Sequence, residues 1–360
     1  METKLTRIAE LTRIKPKIKL QTLMHVIDEE QLRKCHAGME RRKAVGIDKV
    51  TKEQYEENLE GNLAELVAKM KQQAYKPQPV KRVYIPKADG KKRPLGLPSY
   101  EDKLVQKALN EILTVIYEQE FLNCSYGFRP NRSAHDAIKE VNRIIETRKV
   151  NYVVDADIKN FFDNVSHEWM MRFLGDRIQD KNLLRLVARF LKAGVMEEGT
   201  VRSTQRGTPQ GGIISPTLAN VYLHYVLDLW FAVKVARKCK GEAYIVRYAD
   251  DFVCFFQYEE EARAFYKELK DRLRKFNLEV AENKTKTIEF GKFAGERRKE
   301  RQKGKPETFD FLGFTHYCSK NQQGRFHLKR KTSRKKFSTN LKALGVWMYR
   351  NMHTEVSFVS

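Results

Sequence analysis

The sequence is poor in the features that mark secreted and membrane proteins. Its five cysteines are scattered over 360 residues and form no C-x-x-C pair, which argues against a disulfide framework or a structural zinc site. No apolar run of about 18 residues occurs, so no transmembrane helix is expected. The first residues also lack the continuous apolar core of a signal peptide. These absences predict a soluble protein of a reducing cytoplasm.

Acidic residues are in the minority. Lys and Arg number 69 against 46 Asp and Glu, a formal net charge of +23. Such an excess favours a polyanionic partner, although it can also serve solubility or ribosomal-type binding. With 11% aromatic and 41% apolar residues, the chain is not a disordered basic tail. We therefore expect a folded nucleic-acid enzyme of two or three lobes.

Two β-rich runs flank a pair of adjacent acids. Residues 244–248 and 252–256 are typical of strands, and Ala249, Asp250 and Asp251 between them are typical of a tight hairpin turn. Such a turn would display two carboxylates on a rigid support, which suits Mg²⁺. Asp is also an ordinary hairpin residue, so the pair alone leaves a structural role open.

A third candidate acid lies upstream, in the β-rich run of residues 152–158. Period-two alternation puts Asp155 and Asp157 on one face of that strand. They could simply cap the following turn or helix. A strand-borne Asp157 beside a hairpin pair is also the arrangement that two-metal phosphoryl transfer requires.

Six motifs make a family resemblance specific. In chain order they are IPKADGKKRPLG at 85–96, YGFRPNRSAHD at 126–136, DIKNFF at 157–162, RGTPQGGIISP at 206–216, YADD at 248–251 and FDFLGF at 309–314. Together they resemble the group II intron-encoded reverse transcriptases over about residues 40–345. The glycine-rich fourth motif is not a P-loop, because no G-K-[ST] follows it.

The resemblance implies an α+β fold of right-hand polymerase architecture, with fingers and a ferredoxin-like palm. We expect an N-terminal helical extension with a template-covering loop at 1–60, fingers at 61–150 and a palm at 151–315. A charged, weakly structured insertion is expected at 292–306; it is either solvated or in contact with phosphate. Residues 316–360 match only the start of a helical thumb, so splicing, DNA cleavage and long processive synthesis are not implied.

Site residues are carried over from the family motifs. The implied catalytic residues and metal ligands are Asp157, Asp250 and Asp251, with Ile158 as a further ligand, for two Mg²⁺ ions that Mn²⁺ could replace. The implied nucleotide-binding residues are Lys87 and Arg93 on the triphosphate, Phe162 at the sugar, Gln210 near the sugar, and Lys284 as proton donor to pyrophosphate. The implied template and primer contacts are Arg129, Arg132, Gly211, Tyr248, Leu312 and Gly313.

Most of these residues also have a simpler interpretation. Lys87 and Arg93 could be solvated charges at a hairpin tip, and Lys284 an exposed loop lysine. Arg129 and Arg132 could pair with Asp136 or Glu140 on the next helix. Phe161 is expected in the core, but it could exchange roles with Phe162.

The resulting functional prediction is an RNA-directed DNA polymerase that extends a DNA or RNA primer on an RNA template with dNTPs. By resemblance it acts in retroelement mobility in the bacterial cytoplasm, at the nucleoid and off the membrane, with a structured intron or another noncoding RNA as partner. One alternative is a domesticated or antiphage-defence reverse transcriptase. Another is a maturase-like RNA-binding protein without a polymerase role. The oligomeric state is left open.

Overall fold

The computed structural model describes residues 3–86, 92–197, 200–202, 206–208 and 211–352. In chain order the helices are α1 Lys4–Ile14, α2 Glu29–Ala37, α3 Lys52–Glu56, α4 Leu59–Lys71, α5 Tyr100–Tyr117, α6 Ala134–Thr147, α7 Phe161–Asn164, α8 His167–Arg177, α9 Lys181–Lys192, α10 Ser215–Leu223, α11 Ala236–Lys238, α12 Glu259–Lys275, α13 Ala294–Glu300 and α14 Arg334–Asn351. A 3₁₀ turn spans Met24–Val26, and two π-helical turns, His224–Asp228 and Phe231–Val235, join α10 to α11.

The strands form three sheets. In chain order they are β1 Val80–Pro86, β2 Lys92–Leu97, β3 Tyr152–Asp157, β4 Val195–Glu197, β5 Thr200–Arg202, β6 Ala243–Tyr248, β7 Asp251–Phe256, β8 Lys286–Glu289, β9 Phe309–Phe311, β10 Phe314–Lys320 and β11 Phe326–Thr332. The sheet orders are β2-β1-β4-β5, β6-β7-β3-β8 and β11-β10-β9. The mixed α+β class expected from the sequence is confirmed.

The first sheet is built from distant parts of the chain. β1 and β2 form the expected antiparallel hairpin, and β4 pairs in parallel with β1 through Val80 and Val195. β1 and β2 lie in the range assigned to the fingers, whereas β4 and β5 lie in the range assigned to the palm. The boundary at residue 150 therefore runs through the strands of a single sheet. The tip of the β1–β2 hairpin, including Lys87, lies outside the described residues.

The second sheet, fully antiparallel, carries the predicted acids and has a core on each face. Side chains that alternate along β3 and β7, such as Val154 and Phe252, pack into the larger core with the helices. Their neighbours Val153 and Val253 face the smaller core, which contains apolar residues of α6 and of β9 to β11. The expected order of strand, helices, hairpin, helix and strand is confirmed.

Helix caps follow the local sequence in several places. The hydroxyl of Ser133 accepts a hydrogen bond from the Asp136 amide, and the Asp136 carboxylate accepts one from the Ser133 amide, so α6 begins with a full capping box. By contrast, α10 has Ile214 as its N-cap residue, although the Ser215-Pro216 pair by itself is typical of an N-cap followed by proline at the first helical position. Residues 278–280 have a sequence typical of a strand, but they form only a single bridge, between Ile158 and Val280.

The charged insertion at 292–306 was wrongly expected to be weakly structured. It contains α13, in which Ala294 is fully buried. Arg297 forms an ion pair of 2.9 Å with Glu289 of β8, and Arg298 one of 3.5 Å with Glu307. The first pair fixes the helix to the second sheet, and the second ties it to the segment that leads into β9.

The last described helix, α14, is amphipathic and has no buried residue. About half of the Phe337, Leu341 and Trp347 surfaces is exposed. None of the helices within the described ranges is long and apolar enough to cross a membrane. All five cysteines are free thiols, as the sequence predicts.

Candidate active site

Three acids meet at one end of the second sheet. Asp157 ends β3 and lies directly opposite Asp251, the first residue of β7. Tyr248 pairs with Asp251 across a two-residue turn of Ala249 and Asp250. Ala249 has a φ of 56°, a conformation that residues other than glycine rarely adopt. The turn therefore sets Asp250 and Asp251 beside Asp157.

The acids raise one another's proton affinity. Burial raises the pKa of Asp251 to about 7, and the nearby charges of Asp155, Asp157 and Asp250 act in the same direction. Burial also raises the pKa of Asp155 to about 7. The pKa of Asp250 is raised by burial as well, while the charges of Arg93 and Lys284 oppose that rise. Crowded carboxylates of this kind are stabilised by a cation.

Lys284 supplies one positive charge to the cluster. Its ammonium group donates a hydrogen bond to Asp157 Oδ2, and this bond raises the pKa of Lys284. The residue is thus not a remote loop lysine, although its side chain is 64% exposed. An exposed cation beside the acids can move when another cation or a substrate arrives.

The donor set fits Mg²⁺ in chemical type. Carboxylates, with the backbone carbonyl of Ile158 next to Asp157, are the hard oxygen ligands that this ion prefers. In the part of the chain that is described, no group of three His, Cys, Asp or Glu side chains has a ready-made metal-binding arrangement. At Asp157 Oδ2 the Lys284 ammonium takes the place of a metal ion. A metal bound to that oxygen would require Lys284 to move away.

A second hairpin turn contacts the acids from the smaller core. Leu312 and Gly313, between β9 and β10, have φ values of 50° and 82°. The backbone of Leu312 donates a hydrogen bond to Asp251, and the backbone of Asp310 donates one to Asp155. Amides two residues apart, at Asp310 of β9 and at Leu312 of the following turn, therefore hold carboxylates of the second sheet.

Arg247 is a positioning residue that sequence reasoning missed. Its side chain has no exposed surface and forms a two-point ion pair with the equally buried Asp228, at 2.6 and 2.7 Å. Its Nη1 also donates to the Ala249 carbonyl at 2.9 Å. The guanidinium thus fixes the turn that carries Asp250.

The same guanidinium connects the turn to the segment before α6. It donates to Asn220 Oδ1 at 3.0 Å and to Ser125 Oγ at 2.8 Å. The backbone of Arg247 also exchanges hydrogen bonds with Cys124 and Tyr126. The available signal was a charged residue inside an apolar strand, which requires a buried partner.

Arg129 does not lie where the resemblance places it. It is only 6% exposed, and its guanidinium bonds to Glu118 and to the carbonyls of Leu122 and Ser125. This environment makes it a structural residue rather than a template contact, and its partner is not one of the two acids considered on α6. Arg132 is half-buried, and its guanidinium donates hydrogen bonds to the backbone carbonyl and the side chain of Asn123.

Two adjacent phenylalanines follow β3, and Phe161 lies in the core as expected. Phe161 is 2% exposed in the larger core, and Phe162 is half-buried and meets its ring edge to face. Thr208 donates from its backbone to the Phe162 carbonyl at 2.8 Å, which places the glycine-rich motif beside this residue. Tyr248 is also half-buried, with its ring 6.4 Å from that of Phe128.

Gly211 has a reason within the protein to be glycine. Its φ is +107°, and a Cβ there would lie 2.5 Å from the Gly96 carbonyl of β2. The motif therefore packs closely on the β1–β2 hairpin. Gln210 lies outside the described residues, as does Lys87.

Comparison with known families agrees with this geometry. Residues 85–316 match the family described as reverse transcriptase (RNA-dependent DNA polymerase). The match covers more than half of the chain and includes the three acids, so the protein belongs to the reverse transcriptase family.

Individual relatives include an intron-encoded protein and an intron maturase. The chain is 45% identical over 175 residues to the group II intron-encoded protein LtrA of Lactococcus lactis subsp. cremoris, which is 47% of this chain and 29% of LtrA. It is 37% identical over 237 residues to protein YkfC of Escherichia coli (strain K12), which is 58% of this chain and 62% of YkfC. The nuclear intron maturase 3, mitochondrial, of Arabidopsis thaliana is 25% identical over 180 residues, which is 44% of this chain and 25% of the maturase. The chain thus spans less than two thirds of these relatives.

Proposed function

We propose that the protein is an RNA-directed DNA polymerase of the group II intron type, which extends a primer on an RNA template. The observation that carries this proposal is the position of Asp157 directly opposite Asp251, with Asp250 in the adjoining turn. When bound, two Mg²⁺ ions, or Mn²⁺ in their place, supply activation of the 3′-hydroxyl and stabilisation of the triphosphate charge. Asp157, Asp250, Asp251 and the Ile158 carbonyl hold them.

The incoming dNTP is bound by residues around the acids. Arg93, whose charge already acts on Asp250, and Lys87 neutralise the triphosphate. Phe162 closes the sugar pocket against a ribose 2′-hydroxyl, and Gln210 bonds near the sugar. Lys284 leaves Asp157 on substrate binding and donates a proton to the departing pyrophosphate.

The template and primer lie across the same end of the second sheet. Arg132 contacts template phosphate, while Gly211 and Tyr248 contact the base pair next to the reaction centre. Leu312 and Gly313 support the primer end, next to the Asp251 carboxylate that Leu312 bonds. An RNA–DNA duplex of this kind is recognised through its backbone and 2′-hydroxyls.

In this proposal β1 and β2 belong to the fingers, the β6-β7-β3-β8 sheet is a ferredoxin-like palm, and α14 begins a helical thumb. The thumb was expected from residue 316, but the part of that range before α14 forms the β10–β11 hairpin. The biological role is retroelement mobility with a structured intron RNA. Similarity to a group II intron-encoded protein and to an intron maturase supports this assignment.

Primer extension on an RNA template with dNTPs and Mg²⁺ tests the proposal. Asp250→Asn/Asp251→Asn keeps the side-chain size and removes the charge, and we expect cDNA synthesis to fall by more than about a hundredfold. Asp271→Asn, on α12 with a side chain that is 70% exposed, is the matched control. If the unmodified chain binds RNA but makes no cDNA, it is a maturase-like binding protein instead.

A further inference from the structure

A cavity of about 570 Å³ lies between α13 and the tip of the β10–β11 hairpin. Its apolar wall is made by Phe293, Pro306 and Phe326, and Gly291, Gly295 and Gly324 line its other sides without a side chain. Its volume is in the range of ordinary ligand sites. We call it the α13 pocket.

The α13 pocket is separate from the three acids. Arg297 of α13 bonds to Asn151 Oδ1 at 3.2 Å, and its guanidinium lies 5.7 Å from the centre of the Tyr152 ring. Tyr152 begins β3 and Asp157 ends it, which separates them by about 17 Å of extended strand. A ligand in this pocket is therefore not a substrate at the reaction centre.

The charge around the pocket favours an anionic ligand. Lys292, Lys320 and Arg325 line it and are exposed. Two acids, Glu146 and Glu296, also line it. Glu146 is already paired with His327 at 2.8 Å, and it accepts a hydrogen bond from the Leu328 amide. Residues 292–305 are dominated by Lys and Arg.

Phe293 offers a flat surface in this basic setting. Nearly half of it is exposed, at 49%, and Lys292 Nζ lies 5.4 Å from its ring centre. An exposed aromatic ring among cations is the combination with which proteins stack single-stranded bases and hold the adjoining phosphates. A paired base cannot leave its duplex to reach such a ring without losing its pairing and stacking.

We propose that the α13 pocket binds an unpaired nucleotide of a single-stranded RNA segment. The base stacks on Phe293 and is enclosed by Phe326 and the glycine backbone. The flanking phosphates contact Lys320 and Arg325 at the hairpin tip. This second contact surface holds RNA that lies outside the polymerase cleft, whichever strand is being copied.

Photocrosslinking tests the site directly. The full chain is mixed with an unstructured RNA that carries one 4-thiouridine, in the presence of excess blunt template–primer duplex to occupy the cleft, and is then irradiated. We expect an adduct on a peptide that contains Phe293 or Phe326, and unlabelled single-stranded RNA should suppress it. Adducts confined to other peptides, or an adduct on these peptides that forms without the duplex and is lost when the duplex is added, would overturn the proposal.

Substitutions give an independent measurement by fluorescence anisotropy under the same competition. Phe293→Ala should weaken single-stranded RNA binding about tenfold, and Tyr258→Ala, which removes an aromatic that is 44% exposed elsewhere, should not. Phe293→Ala could disturb α13, so a second variant away from that helix is needed. Lys320→Glu/Arg325→Glu, on the β10–β11 hairpin, should weaken binding without altering α13. Unchanged affinity in the Lys320→Glu/Arg325→Glu variant would refute the site.

The result is independent of the proposed polymerase activity. Asp250→Asn should retain the crosslink at the α13 pocket while it loses primer extension. Primer extension on a short template should conversely be unchanged by Phe293→Ala.

Discussion

At the scale of single residues, the buried pair of Arg247 and Asp228 decides where the catalytic turn lies. Neither side chain has any exposed surface, so each needs the other to remain charged. The bond from Arg247 to the Ala249 carbonyl then transmits this fixed position to Asp250. A residue that touches neither nucleotide nor metal ligand side chain thus controls the geometry of the acids.

This role can be separated from simple stability. Arg247→Met should lower the free energy of unfolding by about 3–5 kcal/mol, because Asp228 is left buried without a partner. Arg247→Met/Asp228→Leu removes both charges and should recover most of that loss in urea unfolding. Its primer-extension rate should stay low, because the Ala249 carbonyl still lacks its donor.

Arg263→Met provides the control, since its ion pair with Glu259 is largely exposed and should matter little to either measurement. A double variant with the rate of the unmodified protein would show that the turn holds its position without the guanidinium.

Residue-level prediction from the sequence worked where the signal was local. Alternation along residues 152–158 put Asp155 and Asp157 on one face, and the hairpin followed from its turn residues. It failed for Arg129, because the partner Glu118 lies 11 residues earlier, at the C-cap of α5, rather than on the helix that follows. Arg247 was missed because its partner Asp228 lies on a π-helical turn, which no simple periodicity indicates.

At the scale of elements, β9 joins the smaller core to the acids. The amide of Asp310 on β9 bonds to Asp155, and the amide of Leu312 in the β9–β10 turn bonds to Asp251. The turn must therefore keep its register for Asp251 to stay in place. Both residues of that turn have positive φ, which matches the right-handed twist of paired strands.

A branched residue in the β9–β10 turn should impair catalysis. Gly313→Val places a β-branched side chain at a φ of +82°, a strain of about 1–2 kcal/mol. We expect the turn to shift, the Leu312 amide to leave Asp251, and the single-turnover extension rate to fall several-fold.

Gly324→Val is the matched control, because Gly324 has a similar φ of +76° in the neighbouring β10–β11 turn, where a Cβ would meet open space. Both variants should lose similar stability in thermal unfolding, but only Gly313→Val should slow extension. Equal effects on the rate would mean that strain alone, and not the contact with Asp251, is responsible.

Elements with strong local patterns, such as β3 and the β6–β7 hairpin, were predicted within a few residues. Those that depend on distant pairing were not. β4 joins β1 across more than 100 residues, and α13 is held by Arg297 and Arg298, whose partners lie on either side of the helix. A run of like charges gives no sign of such pairing when it is considered alone.

At the scale of the whole molecule, the net charge of +23 sets how the protein meets RNA. Each phosphate contact releases condensed counterions, so affinity for single-stranded RNA should fall linearly on a plot of log K against log salt. If only the net charge matters, reversing two positive charges anywhere on the surface should change this salt dependence equally. If the α13 pocket makes specific phosphate contacts, reversal at the pocket should have the larger effect.

Two charge-matched variants distinguish these cases by anisotropy titration between about 50 and 200 mM salt. Lys320→Glu/Arg325→Glu removes two proposed phosphate contacts and should make the slope shallower by about 1.4 units, at about 0.7 per contact. Lys238→Glu/Lys267→Glu makes the same change in formal charge on α11 and α12, away from the pocket lining, and should leave the slope nearly unchanged. An equal change in both would mean that RNA responds only to the overall positive field, because neither pair would then be in contact with particular phosphates.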